Sequence, residues 1–263
     1  MTRIDRAFAE LKKKRKKAFI AFITAGYPDL ATTEKLLLAL PGAGVDLIEL
    51  GIPFSDPLAD GPIIQEASRV ALEKGTSLKK VLEMVARCRT KISVPVCFMS
   101  YYNPIMRMGE DEFIRRARSA GVDGLIVPDL PFEEAKAFAS RAGKAGVELI
   151  SFVSPTTEPR RLKNICASAG GFIYYVSLTG VTGLRQKLPA GLARGVEAAR
   201  KLARVPVCVG FGVSSPAQVR QVSGFSDGVI VGSAIVRVIR DSIGKPGLER
   251  KVIGFVRTLT RAS

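Results

Sequence analysis

Three carboxylates lie close together in the stretch IELGIPFSDPLADGP, which covers residues 48–62. Glu49 stands between Ile48 and Leu50 inside an apolar run, where its side chain would be poorly solvated. Poor solvation disfavours the charged form and raises the pKa of a carboxyl group towards neutrality, where the group can both give and take a proton. We therefore predict that Glu49 is a general acid and base; a carboxylate paired with Arg or Lys at a rim is the alternative.

The other two carboxylates of this stretch fall in a loop rich in proline and glycine. Asp60 lies between Ala59 and Gly61, a flexible setting that could bring its carboxylate over a pocket, although a turn-forming aspartate fits equally well. Asp56, in the sequence SDP, is expected to be a turn or interface residue. Asp60 is therefore the second candidate for chemistry.

The chain contains no histidine, so histidine-based triads are excluded and acid–base chemistry falls to carboxylates, Tyr or Lys. The four cysteines lack the spacing of metal ligands. Two of them, Cys97 and Cys208, fall in strand-like runs that suit small core hydrophobes. We expect no metal site and a reduced, cytoplasmic setting.

Eight short apolar runs along the chain predict strands. They are rich in Val, Ile and Phe and do not alternate with polar residues, which is typical of parallel strands buried on both faces. The runs are FIAFIT (19–24), DLIEL (46–50), VPVCFM (94–99), DGLIVP (123–128), ELISFV (148–153), FIYYVS (172–177), PVCVGF (206–211) and DGVIVG (227–232).

Helix-like stretches separate these runs. Helical periodicity is clear in LKKVLEMVARC (78–88), and Asp111 and Ser215-Pro216 are predicted helix starts. An Ala-Gly phrase recurs before four strands, and its glycine suits a left-handed helix end. The phrase occurs in GAGVDLIEL (42–50), SAGVDGLIV (119–127), KAGVELISF (144–152) and SAGGFIYYV (168–176).

Eight β-then-α units in 263 residues predict a closed (β/α)₈ TIM barrel, with a doubly wound eight-stranded sheet as the alternative. No linker or composition shift divides the chain, so we expect a single domain over residues 1–263 that begins with a short N-terminal helix. Catalytic groups of such barrels lie where strands end. Glu49 stands at the end of the second run, which agrees with its predicted role.

Glycine-rich segments follow the last three strand runs. GFGVSSP (210–216) and VGSAIV (231–236) fall where barrels often bind phosphate, and a helix starting at Ser233 would point its N-terminal dipole there. Plain helix caps are the alternative. LTGVTG (178–183) suits a lid that closes over substrate, or an ordinary surface loop.

Aromatic residues lie at the ends of several predicted strands. As a set they could line a pocket for a flat apolar group, whereas core packing is the alternative for any one of them. These residues are Phe22, Tyr101, Tyr174 and Phe211.

Forty Lys and Arg against 24 Asp and Glu give a formal charge of +16, which favours anionic partners such as phosphorylated metabolites, nucleic acid or acidic membrane. Beyond KKKRKK (12–17) the charge is diffuse, and no nucleic-acid-binding motif occurs. We expect a solvated surface with one basic helix end, and neither nucleic acid nor membrane as partner. The apolar run after KKKRKK has no cleavage site, so we expect no secretory signal.

The segments IELGIPFSDPLADGP, FITAGYPD, YYVSLTGVTG, GFGVSSP and VGSAIV resemble the alpha subunit family of tryptophan synthase, and the resemblance runs from about residue 3 to the final helix. The first segment is highly specific, because it combines the strand-end Glu, a double-proline turn and the loop Asp at fixed spacing. The resemblance implies retro-aldol cleavage of indole-3-glycerol phosphate to indole and glyceraldehyde 3-phosphate, without a metal or an organic cofactor in this chain.

The resemblance also implies a role for each reactive residue. Glu49 would protonate indole C3 and take the proton of the adjacent side-chain hydroxyl. Asp60 would face the ring N–H, stabilise its positive charge and accept its proton. Tyr174 would orient or polarise the reacting hydroxyl.

Binding residues follow from the same resemblance. N–H groups around Gly183, Gly212, Gly232 and Ser233 would hold the phosphate. The ring would lie against Phe22, Tyr101 and Phe211. Thr182 would close the site by contacting the loop that carries Asp60.

The family resemblance implies one partner, a pyridoxal-phosphate-dependent beta subunit that receives indole in an αββα assembly. The cofactor would belong to that partner. A free-standing indole-releasing lyase and a non-catalytic allosteric cap on the beta subunit are the alternatives. The residues expected at the interface are Pro53, Asp56, Asn103, Pro104, Asp129 and Pro131.

Overall fold

The computed structural model describes residues 1–176, 188, 190–210 and 212–263. Eight parallel strands close into a barrel in chain order, with the last strand paired to the first. The (β/α)₈ barrel predicted from the sequence is confirmed. The strands are β1 (Ala18–Thr24), β2 (Leu47–Gly51), β3 (Val96–Met99), β4 (Gly124–Ile126), β5 (Glu148–Val153), β6 (Ile173–Val176), β7 (Val207–Gly210) and β8 (Gly228–Val231).

Helices follow the strands and pack around the barrel. Those in the described part of the chain are α1 (Arg3–Lys13), α2 (Leu30–Ala39), α3 (Pro62–Glu73), α4 (Leu78–Cys88), α5 (Tyr102–Met108), α6 (Glu110–Ala120), α7 (Lys136–Lys144), α8 (Pro159–Ser168), α9 (Leu192–Leu202), α10 (Pro216–Ser223), α11 (Ser233–Ser242) and α12 (Leu248–Thr260).

Each predicted apolar run overlaps one strand of the barrel. All seven residues of β1 are buried, as expected of a strand covered by helices on one face and by the barrel interior on the other. The periodic segment 78–88 forms α4 with those bounds. The hydrophobic pattern of the sequence therefore predicted both the type and the order of these elements.

The predicted helix ends agree with the structure at most junctions. Three Ala-Gly glycines have positive φ: Gly44 at 88°, Gly121 at 80° and Gly146 at 77°. At the fourth junction the left-handed residue is Gly171, with φ of 62°, one residue later than predicted. Gly170 instead leaves room for the side chain of Glu148, because a Cβ on residue 170 would lie 2.2 Å from Oε2 of Glu148.

The two predicted helix starts have different outcomes. Ser215 caps α10, where its Oγ accepts a hydrogen bond from the Gln218 N–H at 3.3 Å. The prediction for Asp111 was wrong, because α6 begins at Glu110 with Gly109 as its N-cap, two residues before Asp111. Asp111 lies in the first turn, where acidic side chains offset the positive end of the helix dipole.

Helix α1 closes the N-terminal end of the barrel. Its apolar residues Ile4, Phe8 and Leu11 pack into the barrel interior, where the Phe8 and Phe172 rings lie 5.9 Å apart. Arg3 pairs with the buried Asp123 at 2.6 Å. This end is filled with side chains, so a ligand has to enter from the opposite end, where the strands finish.

The barrel interior near helix α1 also contains two of the four cysteines. Cys97 and Cys208 are free, buried and part of the apolar cluster under the cavity, which confirms them as small core residues. Burial raises the pKa of both thiols well above the usual value, so neither thiol is poised as a nucleophile.

The basic stretch KKKRKK forms the exposed end of α1 and the turn into β1, as predicted. Lys17 at its end lies 3.6 Å from the Asp227 carboxylate. No helix among the described residues is both long and apolar enough to cross a membrane.

Candidate active site

A cavity of about 580 Å³ opens at the C-terminal end of the barrel, which is a typical size for a small-molecule site. Strand residues from opposite sides of the barrel line it, among them Phe22, Glu49, Tyr174 and Gly210. The loops that follow the strands complete its wall. The cavity therefore lies where the position of Glu49 in the sequence predicted chemistry.

Glu49 projects into the floor of this cavity. It pairs in register with Phe22 of β1 and Cys97 of β3, and it points to the same side of β2 as Leu47, which packs in the barrel interior. The side chain is fully buried, and neither carboxylate oxygen has a hydrogen-bond partner among the described residues. Burial, with a smaller effect of the Asp60 charge, raises the pKa of Glu49 to about 8. Glu49 is therefore mostly protonated at neutral pH.

Asp60 reaches the cavity from the loop between β2 and α3. Hydrogen bonds fix its main chain: its N–H donates to the Pro57 carbonyl at 3.0 Å, and its carbonyl accepts from Gln65 Nε2 at 2.9 Å. Burial raises the pKa of Asp60 to about 6, while a hydrogen bond from Tyr101 acts in the opposite direction. Asp60 is therefore mostly ionised at neutral pH, in contrast to Glu49.

Tyr174 lines the cavity from β6, and its ring lies 5.1 Å from that of Phe152. Burial and then the charges of Glu49 and Asp60 raise the pKa of its hydroxyl well above the usual value. The hydroxyl therefore remains a hydrogen-bond donor near both carboxylates. Gly210 leaves it room, because a Cβ there would lie 2.7 Å from the hydroxyl oxygen.

The ring of Phe22 lies between two glycines at the cavity wall. A Cβ on Gly51 would come within 2.6 Å of the ring, and a Cβ on Gly232 within 3.2 Å. The absence of side chains at these positions leaves room for the ring, which lies in register with Glu49. This forms an apolar wall for a planar group.

Gly212, Gly232 and Ser233 line another part of the cavity. Helix α11 begins at Ser233 with Gly232 as its N-cap. The N–H groups of Ile235 and Val236 bond to the Gly232 carbonyl, so the N–H groups of the two preceding residues point out of the helix end. A helix end of this kind favours an anion such as phosphate.

Comparison with known proteins agrees with this geometry. A family model described as Tryptophan synthase alpha chain matches residues 8–260. The chain belongs to the tryptophan synthase alpha chain family. The reaction of this family is the cleavage of indole-3-glycerol phosphate in tryptophan biosynthesis, and the chain is accordingly a carbon–carbon lyase.

Individual alpha chains match over nearly their full length. The tryptophan synthase alpha chain of Geobacter sulfurreducens is 48% identical over 262 residues, covering 100% of this chain and 99% of that protein. The crystal structure of the alpha chain from Legionella pneumophila has a TM-score of 0.91 at 38% identity, with 100% and 97% coverage. A structure of Mycobacterium tuberculosis tryptophan synthase has a TM-score of 0.91 at 33% identity, with 99% and 98% coverage.

Not every residue expected from the alpha chain family lies in the cavity wall. Tyr101 is buried, but among the described residues it is not part of the lining; it hydrogen-bonds Asp60 instead. Thr182, Gly183 and Phe211 lie outside the described residues.

A large apolar part of the cavity wall, which strands β3 to β5 and the loops after them provide, was not predicted from the sequence. The signal was present in part, since most of these residues lie near the ends of strand runs or shortly after them. They include Met99, Val127, Leu130, Phe132, Leu149 and Phe152.

The expected interface residues lie after strands β2, β3 and β4, with Asn103 and Pro104 in helix α5 and the others in loops. Four of them are exposed: Asp56, Asn103, Asp129 and Pro131; Pro104 is half-buried. Pro53 differs from the expectation because it is buried beneath the loop. The structure adds Leu58 and Met106, large apolar side chains with 87% and 57% of their surface exposed.

No group of three or more Asp, Glu or Cys side chains with metal-binding geometry occurs in the described part of the chain. Glu49 and Asp60 share the cavity without a third acidic residue among its described lining.

Proposed function

We propose that Glu49, Asp60 and Tyr174 carry out the cleavage of indole-3-glycerol phosphate to indole and glyceraldehyde 3-phosphate. The supporting observation is that one cavity holds two buried carboxyl groups with separated pKa values, about 8 for Glu49 and about 6 for Asp60. Between these values one group is an acid and the other an anion. Such a separation assigns different roles to two chemically similar side chains.

The first step is protonation of the indole ring. Glu49 donates its proton to C3, and the ring becomes an indoleninium whose positive charge is centred on the nitrogen. Ionised Asp60 hydrogen-bonds the ring N–H and stabilises that charge in a site with little solvent. Any proton that Asp60 accepts from the nitrogen has to return, because the product indole keeps its N–H.

The second step breaks the carbon–carbon bond. Glu49, now a carboxylate, takes the proton of the hydroxyl on the adjacent side-chain carbon, and the C=O bond of the aldehyde forms. The electron pair of the broken bond returns to the ring and restores the neutral indole. Tyr174 orients the reacting hydroxyl, and Glu49 ends the cycle protonated, so the cleavage consumes no proton.

The phosphate group is held by the loops after β7 and β8, where helix α11 begins. Gly212, Gly232 and Ser233 line the cavity there, and the α11 end offers outward-pointing N–H groups. The ring lies along Phe22. Gly183, Thr182 and Phe211 remain proposed contributors on the strength of the family resemblance alone.

The assay that tests this proposal is indole release measured over a range of pH. The rate is expected to be bell-shaped: it falls below about pH 6 as Asp60 is protonated, and it falls above about pH 8 as Glu49 ionises. Indole-3-glycerol without phosphate serves as the matched substrate and should bind far more weakly. Absence of indole release, or a rate independent of pH between 5 and 9, would reject the proposed roles.

A beta subunit is the proposed partner, and the pyridoxal phosphate belongs to it. One of the similar solved structures is of Mycobacterium tuberculosis tryptophan synthase. Exposed Leu58 and Met106, together with the exposed Asp56, provide apolar and polar surface of the kind that an interface needs. We propose the αββα arrangement on the family resemblance, and a cytoplasmic location that cell fractionation can test.

Addition of a cognate beta subunit is expected to raise indole release at least about tenfold. A change of that size needs only about 1.4 kcal/mol of differential affinity for the catalytically competent loop position. Met106→Ala and Asp56→Ala should reduce this stimulation, whereas Leu202→Ala, which removes an exposed leucine from α9, should not. Full activity of the chain alone, unchanged by any beta subunit, would favour the free-standing lyase.

A further inference from the structure

The hydroxyl of Tyr101 contacts two consecutive residues of the loop that carries Asp60. It accepts a hydrogen bond from the Ala59 N–H at 2.9 Å and donates one to Asp60 Oδ2 at 3.3 Å. One atom therefore holds both the main chain of the loop and the carboxylate at its end. Among the described residues, no other side chain donates to the Asp60 carboxylate.

The main chain around Tyr101 is itself fixed to the barrel. The N–H of the preceding Ser100 donates to the Ile126 carbonyl at 3.0 Å. The N–H of the following Tyr102 donates to both oxygens of Asp129, at 2.9 and 3.1 Å. The phenol ring thus extends from a rigid support to a loop residue 41 positions earlier in the chain.

The ring of Tyr101 also packs against the tip of the same loop. Phe54 stacks on it with a centroid distance of 5.1 Å and an interplanar angle of 28°. Stacked aromatic pairs contribute stability beyond the apolar area that they bury. Phe54 stands next to the exposed Ser55 and Asp56, so a contact at the loop tip is linked through two rings to Asp60.

We propose that Tyr101 is a positioning residue that holds the Asp60 carboxylate in the cavity, with Phe54 as the support of its ring. Tyr101 does not line the cavity, so its effect on turnover passes through Asp60. The inference rests on the proposed function of Asp60 for its kinetic consequences. Its structural part, the hydrogen bond to Asp60, can be tested separately.

The kinetic test compares Tyr101→Phe with Tyr102→Phe. Each variant removes one tyrosine hydroxyl, but the Tyr102 hydroxyl bonds Glu110, away from Asp60. Tyr101→Phe should lower kcat about tenfold, leave KM within about twofold, and move the acid limb of the pH profile above about 6. Tyr102→Phe should change none of these. Wild-type kcat and acid limb in Tyr101→Phe, or a raised KM alone, would overturn the proposal.

Two further variants separate positioning from a general loss of structure. Phe54→Leu keeps apolar bulk but removes the stacked ring, and should lower kcat with little change in KM. In an Asp60→Asn background, Tyr101→Phe should have less than about a twofold effect, because the charge that it positions is already gone. A wild-type kcat in Phe54→Leu, or independent effects of the paired substitutions, would contradict the proposal.

A titration of the Asp60 carboxyl by ¹³C NMR in the substrate-free chain does not depend on the reaction. Loss of the Tyr101 hydroxyl should raise the pKa of Asp60, because a donor to its ionised form is removed. An unchanged pKa in Tyr101→Phe would overturn the positioning role. Absence of indole release by the wild type, with the pKa still raised in the variant, would instead reject the proposed function alone.

Discussion

Glu49→Gln is expected to reduce indole release by at least 10²-fold, and up to about 10⁴-fold, with KM close to that of the wild type. Glutamine has nearly the same shape but can neither donate a proton to C3 nor accept one from the hydroxyl. The walls formed by Phe22 and Gly232 remain, so the substrate still binds. Steady-state kinetics with indole-3-glycerol phosphate measure both quantities.

The matched control for this variant is Glu148→Gln. Glu148 is also a strand glutamate whose pKa is raised by burial, but it begins β5 at the opposite end of the barrel. Its replacement should leave kcat and KM unchanged. If Glu49→Gln kept a tenth of the wild-type rate, Glu49 could not be the acid and base.

The stability of Glu49→Gln should depend less on alkaline pH than the stability of the wild type does. The folded-state pKa of about 8 lies above the ordinary 4.5, so the folded chain holds this proton more tightly than the unfolded chain does. The resulting stability is fully present below about pH 4.5 and is lost as the pH rises through about 8, on the order of 5 kcal/mol. Urea unfolding should therefore show a larger decrease in the free energy of unfolding from pH 5 to pH 9 for the wild type than for Glu49→Gln. Equal decreases would contradict the burial argument.

The fold could be predicted because its signals are local and repeated. Parallel strands covered on both faces read as continuous apolar runs, and eight of them alternate with helical segments. The position of Glu49 inside the second run was enough to place it in the barrel mouth, since side-chain direction alternates along a strand. Neither inference needed contacts between distant parts of the chain.

The role of Tyr101 could not be predicted in the same way. Its position at the end of β3 indicated a pocket wall, but its hydroxyl turns towards Ala59 and Asp60, more than 40 positions away. That direction depends on how the β2–α3 loop folds back over the barrel. The burial of Pro53 has the same origin, because sequence composition does not show which residues of a loop face inward.

The role of two strand-end glycines at the site was also not predicted from the sequence. Gly51 and Gly210 are the last residues of their strands, and in the sequence they resemble ordinary glycines at the start of a loop. In the structure they leave room for the rings of Phe22 and Tyr174 respectively. A glycine that accommodates a neighbouring ring can be recognised only when the neighbour is known, and strand pairing supplies that neighbour.

Asp60→Asn is expected to lower kcat by about 10²–10³-fold while KM changes only a few-fold. The amide oxygen can still accept from Tyr101 and from the ring N–H, so binding geometry is largely kept. It carries no charge, however, and cannot offset the positive charge of the indoleninium in a buried site. The acid limb of the pH profile near 6 should disappear with the titrating group, while the alkaline limb of Glu49 near 8 remains.

Asp56→Asn provides the control on the same loop. Asp56 is exposed, and its carboxylate accepts a hydrogen bond from the adjacent Ser55 hydroxyl at 2.5 Å, so neutralising it leaves the cavity unchanged. Its rate in the isolated chain should stay within about twofold of the wild type, because an exposed charge is screened by solvent and salt. Measuring kcat against pH for both variants separates the two aspartates. Only the residue that faces the ring nitrogen can couple its ionisation to the cleavage step. A retained acid limb in Asp60→Asn, or a larger loss of kcat in Asp56→Asn than in Asp60→Asn, would therefore reverse the roles assigned to the two aspartates.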